Sequence, residues 1–175
     1  MRGSLSVGLV SALVILAGAL ASPGQEAAAP AAAARGLALG VTGKVPRPLK
    51  LDSEGFGRLP RQTVRAKDRD GKEAEFEGVP LVEVLKAAGL DLTPDGLRGS
   101  ALEYYLVVEA ADGYRAVFAL PELSPAFTDR VVLLADKRAG KPLGGNEGPL
   151  RVVVPGEKRH ARWVRQVVNL KVGRD

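Results

Sequence analysis

Basic side chains surround the only tryptophan of this sequence, close to its carboxyl end. They are Lys158, Arg159, His160, Arg162 and Arg165, and the tryptophan is Trp163. Arginine offers a planar fork of N–H donors that matches the oxygens of phosphate or carboxylate, and lysine adds a compact positive charge. The cluster therefore predicts an anion-binding site.

Two other arrangements fit the same residues. The basic side chains could form a solvated face, or they could pair with the carboxylates of Glu157, Glu147 and Asp136. Trp163 could stack on a planar ligand, or it could anchor the loop to a sheet. A lone histidine fits a loop position better than a metal site, because multi-histidine metal sites need partners that this chain lacks.

Two predicted strands must position the cluster. An apolar run over 150–154 ends at Pro155-Gly156, and a second apolar run begins at Val167. Runs of this length with turn residues between them predict strands. A rigid strand that enters a basic loop is a suitable support for a site, because it fixes where the donors lie.

The composition excludes several kinds of chemistry. The chain has no cysteine, so thiol catalysis, iron–sulfur clusters and cysteine-ligated zinc are excluded. No Ser/His/Asp set, phosphate loop or paired-acid motif stands out. We therefore predict no catalytic residue and no metal ligand.

The first residues predict an export signal. An apolar run over 7–20 follows Arg2 and ends in the small-x-small pattern Ala19-Leu20-Ala21. We interpret residues 1–21 as a signal peptide, 22–36 as an Ala/Pro-rich linker, and 37–175 as one domain. The predicted location is periplasmic or secreted. Nucleic acid is then a poor partner despite the net charge of +5, and membrane contact is expected only if the signal segment is retained.

The domain itself is predicted to be α+β, with a mixed, mostly antiparallel β-sheet, one main helix and short helices. Asp68–Gly71 and Asp112-Gly113 are hairpin signals, and apolar residues at helical spacing over 81–88 predict the main helix. The carboxylates along the first hairpin are expected to face solvent; they are Asp68, Asp70, Glu73, Glu75 and Glu77.

Three ordered segments resemble the molybdopterin-binding domain of the sulfite-oxidase-type oxidoreductases. They are FEGVPLVEVLKAAGL over 76–90, ADGYRAVFALPEL over 111–123, and LLADKRAGKPLGGNEGPLRVVVP over 133–155 with its trailing RWV. Each segment alone is common, but their order and spacing are specific. The resemblance implies the fold of that domain.

The resemblance also implies a cofactor site. It places basic residues before the tryptophan against the phosphate of a pterin cofactor, and here these are Lys158, Arg159, His160 and Arg162, with Trp163 beside them. It places an arginine that shapes the anionic site at Arg65. Molybdopterin is thus the cofactor that the resemblance implies.

The chain departs from the family pattern at the metal. In the enzymes a cysteine thiolate ligates molybdenum, and the corresponding residue here is at or near Ala66. The stretch 145–148 also lacks the histidine that family members often carry. Since molybdenum in this site relies on the soft sulfur ligand, we predict that molybdenum is not held here.

These observations predict an exported, non-catalytic module that binds an anionic small molecule or a partner protein. Two alternatives stay open. One is a molybdopterin-dependent, sulfite-oxidase-like oxidoreductase with a non-cysteine metal site. The other is an accessory subunit of a membrane redox complex.

Overall fold

The structure is a computed structural model that describes residues 36–174. The predicted signal peptide and nearly all of the predicted linker lie outside the described residues. Ten strands occur in chain order: β1 (Leu39–Gly43), β2 (Leu49–Leu51), β3 (Gln62–Lys67), β4 (Glu73–Pro80), β5 (Tyr105–Ala110), β6 (Arg115–Ala119), β7 (Leu133–Arg138), β8 (Lys141–Pro142), β9 (Arg151–Val153) and β10 (Val167–Gly173).

Helical structure is sparse in the described part of the chain. The α-helices are α1 (Ser53–Gly57) and α2 (Leu81–Ala87), and short 3₁₀ helices cover Gly99–Glu103, Leu120–Leu123 and His160–Arg162. Asp52 caps helix α1, because its carboxylate accepts a hydrogen bond from the Gly55 N–H at 2.8 Å. Helix α2 is the predicted main helix, and Gly89 follows it with φ of 89°.

The strands form two sheets. The first has the order β2-β1-β10-β5-β6, and the second has β3-β4-β7-β8, with β9 also paired to β7. Every pairing is antiparallel except the parallel pair of β1 and β10. The α+β class and the mostly antiparallel pairing are as predicted.

One hydrophobic core takes side chains from both sheets. Strand β5 alternates buried and half-buried residues, and β6 alternates buried and exposed ones, which is the period-two pattern of strands with one face on a core. Strand β7 begins with three buried residues, because it lies between β4 and β9. The core therefore fixes the ends of the strands from which the site loops emerge.

Two hairpin turns and one crossing segment bring the sheets together at one end. The turn at Asp68–Gly71 joins β3 to β4 in the second sheet, and the turn at Asp112-Gly113 joins β5 to β6 in the first. Residues 154–166 connect β9 of the second sheet to β10 of the first. The basic cluster lies on this crossing segment.

No helix in residues 36–174 has the length and apolar character needed to cross a membrane.

Candidate functional site

A cavity of about 850 Å³ opens where the crossing segment meets the two hairpin turns. The crossing segment contributes Lys158, Arg159, His160, Ala161, Trp163, Val164, Arg165 and Gln166; the other lining residues are Arg69, Asp112, Tyr114, Asn146 and Arg151. Small-molecule sites commonly enclose about 300–1,000 Å³. The cavity is therefore large enough for a small organic ligand.

The positive charges of this cavity are largely uncompensated. In residues 36–174, the arginines whose side chains have no hydrogen-bonded or ion-paired partner are Arg69, Arg130, Arg159 and Arg165. Three of these four line the cavity, and only Arg130 does not. Lys158 also lines it without an acidic partner among the described residues, and Asp112 is the only carboxylate in the lining. Cations that converge in this way attract an anion.

The floor of the cavity is held by Arg151, whose side chain is only 1% exposed. Its guanidinium donates to the Asp68 carboxylate at 2.7 Å and to Glu147 at 3.0 Å. It also lies over the rings of Phe76 and Trp163, at 5.5 and 5.1 Å from their centroids. A buried charge is stable only with such partners, so Arg151 is committed to the framework.

Asp68 corrects the prediction that the whole acidic hairpin faces solvent. Asp68 is only 5% exposed, and the guanidinium of Arg138 lies 3.1 Å from its carboxylate in addition to that of Arg151. Burial raises the pKa of the Asp68 carboxyl, but hydrogen bonds from Arg151 and the Arg69 N–H outweigh burial, so the pKa lies below its ordinary value. The carboxylate is therefore ionised and tied to the cavity floor.

His160 lies on the cavity wall at the start of the short 3₁₀ helix. Its Nε2 is 2.8 Å from the carbonyl oxygen of Lys67, the last residue of β3. Its ring meets the Trp163 ring edge-on, with 4.3 Å between centroids. The crossing segment is thus fastened to the second sheet through this histidine.

Trp163 is a core residue with one edge at the cavity. It is 5% exposed and packs against Phe76 with centroids 5.8 Å apart. Of the two roles considered for Trp163, this arrangement favours the anchor of the loop over the stacking platform. A ring so deeply buried has little free face on which a ligand could stack.

Arg162 turns away from the cavity. Its guanidinium donates to both oxygens of Glu122 at 3.0 Å, bonds Glu157, and lies 4.5 Å from the centroid of Phe118. Burial lowers the pKa of Arg162, but the hydrogen bonds that it donates to Glu157 and Glu122 outweigh burial, so its pKa is raised. The paired alternative therefore describes Arg162, whereas Lys158 and Arg159 remain unpaired in the described structure.

Arg65 lies apart from the cavity as well. It is on β3, its side chain is 78% exposed, and its nearest acidic partner is Glu75 at 3.7 Å. Of the six residues predicted for the site, the cavity brings together Lys158, Arg159, His160 and Trp163, but not Arg65 or Arg162.

Sequence reasoning missed two cations of the cavity, Arg69 and Arg151. Arg69 is an exposed residue of a hairpin turn, and its position opposite the crossing segment depends on how the two sheets meet. Arg165 belongs to the predicted basic cluster and lines the cavity, although the resemblance did not place it against the cofactor. Arg151 is hidden in an apolar strand; an arginine between buried residues requires a buried acidic partner, and that requirement is the signal that could have identified it.

The α+β fold with mostly antiparallel sheets is shared with a class of cofactor-binding oxidoreductase domains. The family described as the oxidoreductase molybdopterin binding domain matches residues 26–175, and the chain belongs to that family. The crystal structure of the sulfane dehydrogenase SoxCD from Paracoccus pantotrophus superposes with a TM-score of 0.60 at 25% sequence identity. That match covers 77% of this chain and 37% of the SoxCD chain. No curated protein matches the chain.

The cavity fits one half of the family's cofactor. Molybdopterin carries a phosphate, and unpaired arginines with a lysine are suited to phosphate oxygens. Arg69, Lys158, Arg159 and Arg165 are the residues that would hold such a group.

The donor set does not fit the metal. The whole chain has no cysteine, and residues 36–174 contain no group of three His, Asp or Glu side chains placed to hold a metal ion. Ala66 is buried on β3 and is not among the residues that line the cavity. Molybdenum chemistry therefore has no ligand set in the described part of this chain.

Proposed function

We propose that this chain is a non-catalytic binding module that holds an anionic small molecule in the cavity formed by the crossing segment and the two hairpin turns. The observation that carries the proposal is the convergence of partnerless cations on one cavity. Elsewhere the arginines of the described residues are mostly paired with carboxylates, so the positive field of the domain concentrates here.

The preference for small anions follows from charge and size. Arg69, Lys158, Arg159 and Arg165 give four positive charges against the single carboxylate of Asp112. A ligand with two or three negative charges would neutralise this excess, as an organic phosphate does. Because the charges are exposed to solvent at the rim, affinity is expected to fall as salt concentration rises.

The direct test is a calorimetric titration of the mature domain at low salt with trimetaphosphate, a compact cyclic trianion. We expect one-site binding that weakens with added chloride. Arg159→Ala should weaken it by about tenfold, the effect of one lost charge-assisted hydrogen bond. Arg130→Ala is the matched control, because Arg130 is also partnerless but lies outside the cavity.

A variant that removes a negative charge should have the opposite effect on affinity. Asp112→Asn removes the only lining carboxylate while keeping an oxygen that can accept the Tyr114 N–H, now bonded at 2.9 Å. Affinity for trimetaphosphate should rise by about threefold, the size of one screened charge at close range. Equal effects of Arg159→Ala and Arg130→Ala, or no binding at all, would refute the proposed function.

The family match favours one competing function, a molybdopterin-dependent oxidoreductase with an unusual ligand set. SoxCD is a sulfane dehydrogenase, but this chain spans 37% of its length. Metal analysis of protein isolated from its own host separates the two functions. Molybdenum bound one-to-one would favour the enzyme, whereas its absence alongside a bound phosphorylated organic molecule would favour the binding module.

Export and partners are further parts of the proposal. We expect the mature protein to begin at Ser22, which N-terminal sequencing of host material would test. A cytochrome or membrane protein that co-purifies in stoichiometric amount would instead support an accessory subunit of a membrane redox complex.

A further inference from the structure

We propose that the cavity takes up a proton together with its anion, and that His160 accepts this proton. The inference rests on the proposed function, because it concerns the same cavity. It adds a form of regulation that an anion site alone does not require, because the affinity for the ligand would depend on pH near neutrality.

The hydrogen bond of His160 fixes which ring nitrogen is already protonated. Nε2 lies 2.8 Å from the Lys67 carbonyl oxygen. A carbonyl oxygen only accepts, so Nε2 must be the donor. The neutral ring then carries its lone pair on Nδ1, and a second proton can add only there. Protonation therefore leaves the bond to β3 intact and adds a positive charge at the cavity wall.

The ring cannot easily move away from the ligand space. The Lys67 bond holds one side, and the Trp163 ring, itself 5% exposed, meets the imidazole at an interplanar angle of 69°. Because both contacts involve fixed parts of the framework, the charge of an imidazolium would stay where it acts on a bound anion.

The charged groups around the ring are mainly cations, which repel a further positive charge until a bound anion offsets them. The cations of the lining are Lys158, Arg159 and Arg165 on the crossing segment, Arg69 on the β3–β4 turn and Arg151 on β9; Asp112 on the β5–β6 turn is the only lining carboxylate. Tyr114 donates its hydroxyl to the Ala161 carbonyl oxygen at 2.7 Å. The carboxylates of Asp68 and Glu147 are paired with Arg151, so neither offsets the positive charges of the cavity wall.

Thermodynamic linkage then gives the direction of the effect. A bound anion interacts favourably with the charged ring and lacks that interaction with the neutral ring. Anion binding must therefore increase proton occupancy, and by reciprocity a lower pH must tighten anion binding. Histidine is the side chain whose charge ordinarily changes between about pH 5 and 8, and this chain has only one.

The experiment is calorimetric titration of the mature domain with trimetaphosphate, whose own charge is constant over this range. At about pH 6.5, two buffers that differ in ionisation enthalpy should give different apparent heats, because a fraction of a proton is taken up per anion. Affinity should rise by about tenfold between about pH 8 and about pH 5.5, the effect of one added charge-assisted interaction.

His160→Gln provides the matched variant. Its amide can still donate to the Lys67 carbonyl, but it cannot be protonated in this range. We expect binding without proton uptake and with a flat pH profile. In wild-type protein, the imidazole resonances of the single histidine should also titrate at higher pH when trimetaphosphate is present, and this measurement does not depend on the variant's folding.

The possible results separate the two proposals. Binding with identical heats in both buffers and an unmoved histidine titration would overturn the proton-coupled site while leaving the anion site in place. Absence of binding at every pH would overturn both.

Discussion

Replacing Asp68 with alanine tests whether a buried ion pair holds the cavity floor. The change leaves the Arg151 guanidinium, 1% exposed, with only the half-buried Glu147 as an acidic partner. It also removes the carboxylate that Arg138 approaches. Breaking a buried pair from one side costs about 3–5 kcal/mol. We expect a loss near the lower end of this range, about 3 kcal/mol, because Glu147 compensates in part.

The assay is urea unfolding followed by the fluorescence of the single tryptophan, which lies against Arg151. A loss of about 3 kcal/mol in the free energy of unfolding corresponds to a fall of roughly 10 °C in Tm for a domain of this size. Glu54→Ala is the control; it removes an i,i+4 pair with Arg58 that is about three-quarters exposed, so its cost should stay below about 0.5 kcal/mol.

A double variant distinguishes the pair from its components. Asp68→Leu with Arg151→Met replaces both charges by apolar groups of similar size, and such replacements are often neutral or stabilising. The double variant should therefore be more stable than Asp68→Ala. If Asp68→Ala costs no more than Glu54→Ala, the inference that this pair organises the floor is wrong.

The same carboxylate predicts how stability depends on pH. Because the folded pKa of Asp68 is lowered, its stabilisation is complete above its unfolded pKa of about 3.9 and is lost as pH falls through the folded pKa. The stability gap between wild type and Asp68→Asn should thus be constant above about pH 5 and narrow below about pH 4. A gap that is unchanged in acid would contradict the assigned pairing.

The remaining predictions concern the close packing of the backbone at Gly78 and the ion pairs of Arg162. In Gly78→Ala the new Cβ would lie 2.1 Å from the Leu134 carbonyl oxygen, so urea unfolding should show a loss of about 2–4 kcal/mol. Gly57→Ala, which has open space, should not destabilise the domain. Arg162→Ala leaves the Glu122 and Glu157 carboxylates without their arginine partner, so limited proteolysis should cut the crossing segment faster than in wild type. An unchanged cleavage rate would show that these two ion pairs do not hold the crossing segment in place.

Local patterns in the sequence predicted the elements well. Both predicted turns with an Asp-Gly pair join hairpins, and the predicted main helix begins at Leu81. These features depend on period-two alternation, helical spacing and turn chemistry, which are all encoded within a few residues.

The division into two sheets was not accessible in the same way. Strand β1 lies parallel to β10, with Gly40 opposite Asn169, and no local pattern specifies a pairing between segments so distant in the chain. Strand β9, which was predicted over 150–154, pairs with β7 on one side and has an isolated bridge between Arg151 and Arg165 on the other. Pairing partners emerge from how the core is filled.

The proposed anion site shows the same limit at the level of side chains. The sequence pointed to the crossing segment, but it could not say which of its cations have carboxylate partners. Arg162 is four residues from Lys158, yet it faces Glu122 from another part of the chain, and only Lys158 faces the cavity. Such a difference arises from the tertiary position of the carboxylates.

The pairing of the arginines therefore separates two roles among the cations around the cavity. Arg151 and Arg162 have carboxylate partners and hold the framework, so their loss should act first on stability. Arg159 and Arg165 have no partner in the described structure and lie at the rim, so their loss should act on ligand affinity with little effect on unfolding. The position of each acidic partner therefore decides which of these cations supports the framework and which is free to meet the proposed ligand.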